Sequence, residues 1–449
     1  MRRTLTAGRP CKVAPTLLLA LFPTVGWASE VYLEAVRGTT PRLVRVLIAP
    51  MESAPEGALD ILRADLVASG VFEPLLSTAT DTVRASLDFS KEERAAAERL
   101  GADGVAKARW TLGKPTGGGA TPPLQLEARL FDVRSGGRLT AKTYKADAGA
   151  LRALVHRWAD EIHRRYTGRP GIAHSRIAFV SDETGSKEIH LVDYDGFGFR
   201  RLTAHKSIAL LPRWTADGRR ICYTSYAEGN PDLMLLDPET AAPRPFVVRH
   251  GLNATAAWSP DGKSVVITTI FNGDPELALF TPEGRLVRRL THSRGADTSP
   301  AWSPNGRDLV FTSDRGGSPA LYLMDPEGAN LRRLTADGYC DSPSWSPRGD
   351  RIAYARRRDA PEAAPGGFDI WSIAPDPAAG LPAVAGAPTR LTDGEGSNEN
   401  PTWSPDGRLI AFTGTRGGAR GLFTMLADGS GMQKVAPVRA RCWTPAWSP

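Results

Sequence analysis

Trp258-Ser-Pro-Asp-Gly262 decides the fold, because it recurs. The chain also carries Trp214-Thr-Ala-Asp-Gly218, Trp302-Ser-Pro-Asn-Gly306, Trp345-Ser-Pro-Arg-Gly349, Trp403-Ser-Pro-Asp-Gly407 and Trp447-Ser-Pro449. Successive tryptophans lie 44, 44, 43, 58 and 44 residues apart. A period near 44 in a stretch rich in β-branched and aromatic residues is the signature of propeller blades.

Each unit breaks into four strand-sized pieces. In one repeat they are Ser299–Trp302, Asp308–Ser313, Ala320–Met324 and Leu331–Thr335, separated by Pro-Asn-Gly, Asp-Arg-Gly-Gly and Asp-Pro-Glu-Gly. Asn-Gly and similar pairs accept positive φ and suit tight hairpins. A second-strand element recurs as Ile177-Ala-Phe, Ile221-Cys-Tyr, Val265-Val-Ile, Leu309-Val-Phe, Ile352-Ala-Tyr and Ile410-Ala-Phe. The first of these has no Trp before it, and Trp447 has no second strand after it. Pairing the Trp447 strand with the Ile177 strand closes the ring and removes two sheet edges. The reading is an all-β six-bladed β-propeller over residues 172–449. The wide spacing places an insertion of about 14 residues around Asp359–Gly367 and Asp376–Pro388, where loop growth costs little.

Upstream, residues 29–171 alternate strands and helices, so the chain is two-domain, with a small N-terminal α/β domain first. Strands are expected at Leu43–Ala49, Gly104–Trp110, Leu124–Phe131 and Arg138–Tyr144, the last two joined through Ser135-Gly-Gly137. Helices are expected over Pro55–Ser69, after the capping box Ser90/Glu93, and over Ala148–Tyr166. Residues 1–28 read as a signal peptide: Arg2, Arg3, Arg9 and Lys12 precede the apolar stretch Val13–Val25, and Gly26-Trp-Ala28 offers a cleavage site. That stretch is too short for a span, which needs about 20 apolar residues.

The full chain carries a net charge of +7, and losing residues 1–28 lowers it to +3. With no basic stripe interleaved with aromatics, nucleic acid is not an expected partner. Cys222, Cys340 and Cys442 remain after cleavage. They leave a disulfide open, with Cys222 reading as a buried strand residue.

No chemistry-bearing motif stands out. Gly-x-Ser-x-Gly is absent, and the histidines lack His-x-His or His-Glu-x-x-His spacing. His205, His250 and His292 read as surface residues near loops. Asp261, Asn305 and Asp406 read as turn residues, and the tryptophans as core. Paired carboxylates for glycosidic chemistry stay open, because the partners can be distant in sequence. No cofactor, metal or catalytic residue is expected. The informative positions are the polar loops entering each innermost strand, among them His250–Thr255, Arg294–Ser299, Gly338–Ser342 and Glu395–Asn400, which ring one mouth and suit a protein partner.

The chain resembles the TolB family of the Tol–Pal envelope system. The likeness runs through Leu62-Arg-Ala-Asp-Leu-Val-Ala-Ser-Gly-Val-Phe-Glu-Pro-Leu75, Gly101-Ala-Asp-Gly-Val105, Gln125-Leu-Glu-Ala-Arg-Leu-Phe-Asp132, Ser175-Arg-Ile-Ala-Phe179, Val192-Asp-Tyr-Asp-Gly196 and Pro445-Ala-Trp-Ser-Pro449. The resemblance implies a monomeric, non-enzymatic periplasmic adaptor that supports outer-membrane integrity and cell division. It would bind a Pal-like lipoprotein at the propeller mouth and a TolA-like inner-membrane protein through its N-terminal strand, with no membrane insertion of its own. His250 and Thr298 resemble family contact positions. With Asn253, Thr255, Ser299, Asp341, Asn398 and Asn400 they form the candidate rim. Glu30, Val31, Tyr32, Leu33 and Glu34 form the candidate strand, which alternates as strand addition requires. The alternative is an exported propeller enzyme or lectin acting on glycans or peptides.

Overall fold

Val44–Ile48 (β1) alternates its side chains between two helical layers. Val46 and Ile48 face the helices Ala58–Ala68 (α1) and Leu151–Thr167 (α3), while Leu47 and Ala49 pack with Ala96 and Ala97 of Lys91–Arg99 (α2). In this computed structural model the described residues are 42–77, 83–113, 122–147, 149–336, 338–359, 367–375, 387–416, 418–435 and 441–449. The signal segment 1–28, the candidate strand Glu30–Glu34 and most of both insertions lie outside them.

The α/β sheet has the order β2-β1-β3-β4-β5, with Phe72–Leu76 as β2, Gly104–Leu112 as β3, Leu124–Asp132 as β4 and Arg138–Ala146 as β5. Sequence reading finds four of these strands and misses β2. Its Pro74 argues against a strand in a sheet interior, but β2 is the sheet edge, paired only to β1 in parallel. α1 begins after Gly57, three residues later than expected. α2 starts as expected: Ser90 and Glu93 form the capping box. Glu93 also binds Lys107 Nζ at 2.7 Å, so this buried pair is satisfied at both ends.

Beyond α3, six four-stranded antiparallel sheets follow among the described residues. The ring closes as the repeat offset requires: Cys442–Trp447 is the innermost strand of the sheet that continues with Arg176–Ser181, Glu188–Asp193 and Arg200–Arg201. Arg176 N–H donates to Ser448 Oγ at 2.9 Å, and Ser448 N–H returns to the Arg176 carbonyl at 2.8 Å.

The repeated residues explain the blade. In Trp258-Ser-Pro-Asp-Gly262, Ser259 donates to Asp261 at 2.6 Å and Asp261 accepts the Lys263 N–H at 3.1 Å. Gly262 takes φ +69°. Where Arg348 replaces the aspartate, Ser346 turns to Asp350 instead, at 2.8 Å. A second device is the Leu-Thr pair after an outer strand. Thr203, Thr291, Thr335 and Thr392 each accept a third-strand N–H, which staples the outer strand to its neighbour. Between blades the filling is aromatic and aliphatic: Phe179, Tyr223, Ile267, Phe311, Tyr354 and Phe412 are at most 1% exposed. Cys222 is buried in strand Ile221–Ser225, as its pattern suggests.

Candidate functional site

Every innermost strand starts at the rim of one mouth and ends at its tryptophan near the other. The α/β part meets the ring on the tryptophan side. There Arg408, just past the Trp403-Ser-Pro-Asp-Gly407 turn, donates to the Gly70 carbonyl at 3.0 Å. The rim loops lie at the opposite mouth.

The structure separates the eight rim candidates into three kinds. His250 is exposed, and Thr298 half-buried. Asn253 and Asn398 are fully buried. The Asn253 amide donates to the carbonyls of Arg249 at 2.6 Å, Gly251 at 3.1 Å and Pro231 at 3.2 Å, and its oxygen accepts from Thr269 at 3.0 Å. Asn398 likewise donates to the Glu395 carbonyl at 3.1 Å. These two shape the rim loops from beneath. The other four lie in the innermost strands and are hydrogen-bonded there. Thr255 shares a 2.6 Å hydrogen bond with Thr268, and Asn400 donates to Ser342 at 3.0 Å. Asp341 accepts from Thr312 at 3.0 Å and from Ser299 at 3.4 Å.

Sequence reading did not foresee the backbone at this level. Leu211, Thr255, Ser299, Ser342, Asn400 and Thr444 occupy the same place in their strands and all take φ between 43° and 55°. Each sits at a register shift in the innermost pair of its blade. In five of the six a proline follows, so the x-Pro of the repeat marks the bulge. Left-handed backbone at a non-glycine residue costs roughly 1–3 kcal/mol, and such strain gathers where a surface is used.

At the other mouth a cavity of about 440 Å³ lies among the repeat tryptophans and their following turns. The indoles also tie blades together: Trp214 donates to the Ala446 carbonyl at 2.9 Å, Trp302 to Ala257 at 3.0 Å and Trp403 to Ser344 at 3.0 Å. Trp214, Trp403 and Trp447 are buried as expected, while Trp258, Trp302 and Trp345 keep a face on the cavity.

A third cluster joins the α/β part to the ring. Asp65 of α1 binds His156 Nδ1 of α3 at 2.7 Å and accepts from Tyr194 at 2.7 Å. Asp195 lies 3.8 Å from His156 Nε2 and pairs with Arg152, whose guanidinium sits 3.8 Å over the Phe197 ring. Burial pushes the Asp65 carboxyl up, opposed by its bonds to His156 and Tyr194. The ligating atoms of Asp65, His156 and Asp195 fall within 4.8 Å of one another. They are already engaged with Tyr194 and Arg152, so the cluster works as an ionic clasp. His156 looked like one of several scattered histidines. Only Val192-Asp-Tyr-Asp-Gly196, quoted for its family likeness, marked the other half of the clasp.

Residues 163–366 match the family model described as the TolB beta propeller domain. The chain is 36% identical over 216 residues to the Tol-Pal system protein TolB of Geobacter sulfurreducens, covering 46% of this chain and 47% of the relative. It is 39% identical over 217 residues to that of Geobacter metallireducens, covering 46% and 48%. The chain thus spans about half the length of these curated relatives. The crystal structure of TolB from Acinetobacter baumannii superposes with a TM-score of 0.71 at 26% identity, over 91% of this chain and 97% of that one. No helix among the described residues is long and apolar enough to cross a membrane. With the repeat propeller, the α/β part ahead of it and these likenesses together, the chain is similar to TolB proteins in sequence and in fold.

Proposed function

We propose that the chain is a non-enzymatic periplasmic adaptor of a Tol–Pal system, which takes a Pal-like lipoprotein on the propeller mouth remote from the α/β domain. The observation that carries this reading is the rim itself. Among the described residues the α/β part meets the ring on the opposite side, the rim loops are held from beneath by Asn253 and Asn398, and polar residues give the rim a pre-shaped surface. Pre-organisation of this kind lowers the entropic cost of docking a folded partner. On this reading residues 1–28 direct export, residues 29–171 and 172–449 are the two domains, and the mature chain is a monomer. Glu30–Glu34 add as a strand to a TolA-like partner.

The test is capture of a purified Pal-like periplasmic domain by the mature chain, with Thr298→Arg and a form lacking residues 29–40 alongside. Capture by the mature chain, lost in T298R and kept without residues 29–40, is the expected outcome. Failure of every form to capture it, or undiminished capture by T298R, rejects the assignment of the rim.

A further inference from the structure

The six-fold repeat is broken at one place inside the channel. The residue immediately before each repeat tryptophan lines the cavity. Five of the six are small: Ala257, Ala301, Ser344, Thr402 and Ala446. The sixth is Arg213. Among the described residues it is the only charged one lining the cavity.

Among the described residues its charge has no ionic partner. The guanidinium gives one hydrogen bond, from Nη1 to the Pro212 carbonyl at 2.9 Å. No carboxylate lies within ion-pair distance of it among the described residues. Arg213 is half-buried, and desolvation by its surroundings pulls its pKa below the ordinary arginine range, with no acidic neighbour acting against it. A cation partly withdrawn from bulk water without a counter-charge carries a desolvation cost, which an anion in the site offsets. A structural arginine is normally spent on a carboxylate, as Arg289 is on Glu276 and Arg315 on Asp297 in neighbouring blades. Arg213 is held back from that use.

The walls narrow the chemistry. Indole faces and prolines from the repeat turns surround the one cation. The indole N–H groups of Trp214, Trp302 and Trp403 are already committed to backbone carbonyls, so they present apolar surface. A guanidinium offers a planar fork that matches a carboxylate in two parallel hydrogen bonds. The cavity, about 440 Å³, lies in the range of small-molecule sites.

We infer that the tryptophan-side mouth is a binding site for a monocarboxylate with a flat apolar body, its carboxylate on Arg213 and its body against the indoles. This is independent of the adaptor reading, which concerns the opposite mouth.

The experiment is calorimetric titration of the mature chain with benzoate, with benzamide as the neutral isostere and sulfate as a competing simple anion. Expected are saturable binding of benzoate, none of benzamide at the same concentration, and little displacement by sulfate. Arg213→Gln should weaken benzoate by roughly tenfold or more, while Arg213→Lys, which keeps the charge and loses the fork, falls between. Should R213Q not fold, Ala301→Leu narrows the cavity with the cation intact and should weaken benzoate too. Absence of benzoate binding by the parent protein overturns the inference, as does equal binding of benzamide or affinity untouched by the variants. Sulfate binding as tightly as benzoate overturns the assignment to carboxylates.

Discussion

Gly328 shows what the repeat demands of one residue. It lies in the turn between the third strand Ala320–Met324 and the outer strand Arg332–Arg333, with φ +85°. A Cβ added there would lie 2.8 Å from the carbonyl oxygen of Leu290 on the preceding blade. Both backbone sterics and the neighbouring sheet therefore select glycine. We expect Gly328→Ala to cost about 1–2 kcal/mol, read as a lower urea midpoint with an unchanged slope. Asparagines and aspartates of the Ser-Pro-Asp-Gly turns are legible for the same reason: their partners lie within a few residues. Arg213 is not legible in that way. In sequence it is one more arginine before a tryptophan, and only closure of the ring places it on the cavity wall, with no carboxylate beside it among the described residues.

At the scale of elements, the strands of the blades declare themselves because alternation, hairpin residues and spacing agree. β2 escapes because Pro74 reads as a breaker until its edge position is known. The six innermost bulges escape because Leu211, Thr255, Ser299, Ser342, Asn400 and Thr444 share a conformation but not a residue type. The closing strand Cys442–Trp447 was readable from the offset of the repeats alone. Its anchor is Trp447, whose indole donates to Ser175 at 2.8 Å while its ring packs with Ile177, Phe179 and Ala411. Trp447→Ala is expected to cost about 3–5 kcal/mol. It should also leave strand Arg176–Ser181 as an exposed edge, so denaturation is expected at lower urea and with more aggregation on refolding than for a tryptophan in a mid-array blade.

Over the whole molecule, pH bears on stability through buried imidazoles. His163 packs edge-on to Phe72 at 6.1 Å, and His190 stacks on Phe199 at 5.3 Å. Burial holds both pKa values below the ordinary histidine range. The folded chain therefore binds fewer protons than the unfolded chain once pH drops below about 6.5. Stability present at neutral pH is lost as pH falls through that value toward the depressed folded pKa values, and levels off beneath them. Asp65, raised by burial, acts in the opposite sense at lower pH. Scanning calorimetry should show a melting temperature that falls between about pH 7 and about pH 5, with a shallower fall in the double variant His163→Gln, His190→Gln. An equal fall in that variant would place the pH dependence elsewhere. The sequence reveals the two-part plan of the molecule. It hides the clasp, because Asp65, His156 and Tyr194 lie on three separate elements and meet only after the parts dock.

The latch between Arg176 and Ser448 joins backbone 272 positions apart. During synthesis the first sheet of the ring must therefore wait, with its inner flank unpaired, until Cys442–Ser448 has been made. A product cut short before Cys442–Trp447 keeps five of the six sheets whole yet cannot complete the circle. Such products should be degraded by proteases far faster than their length would suggest.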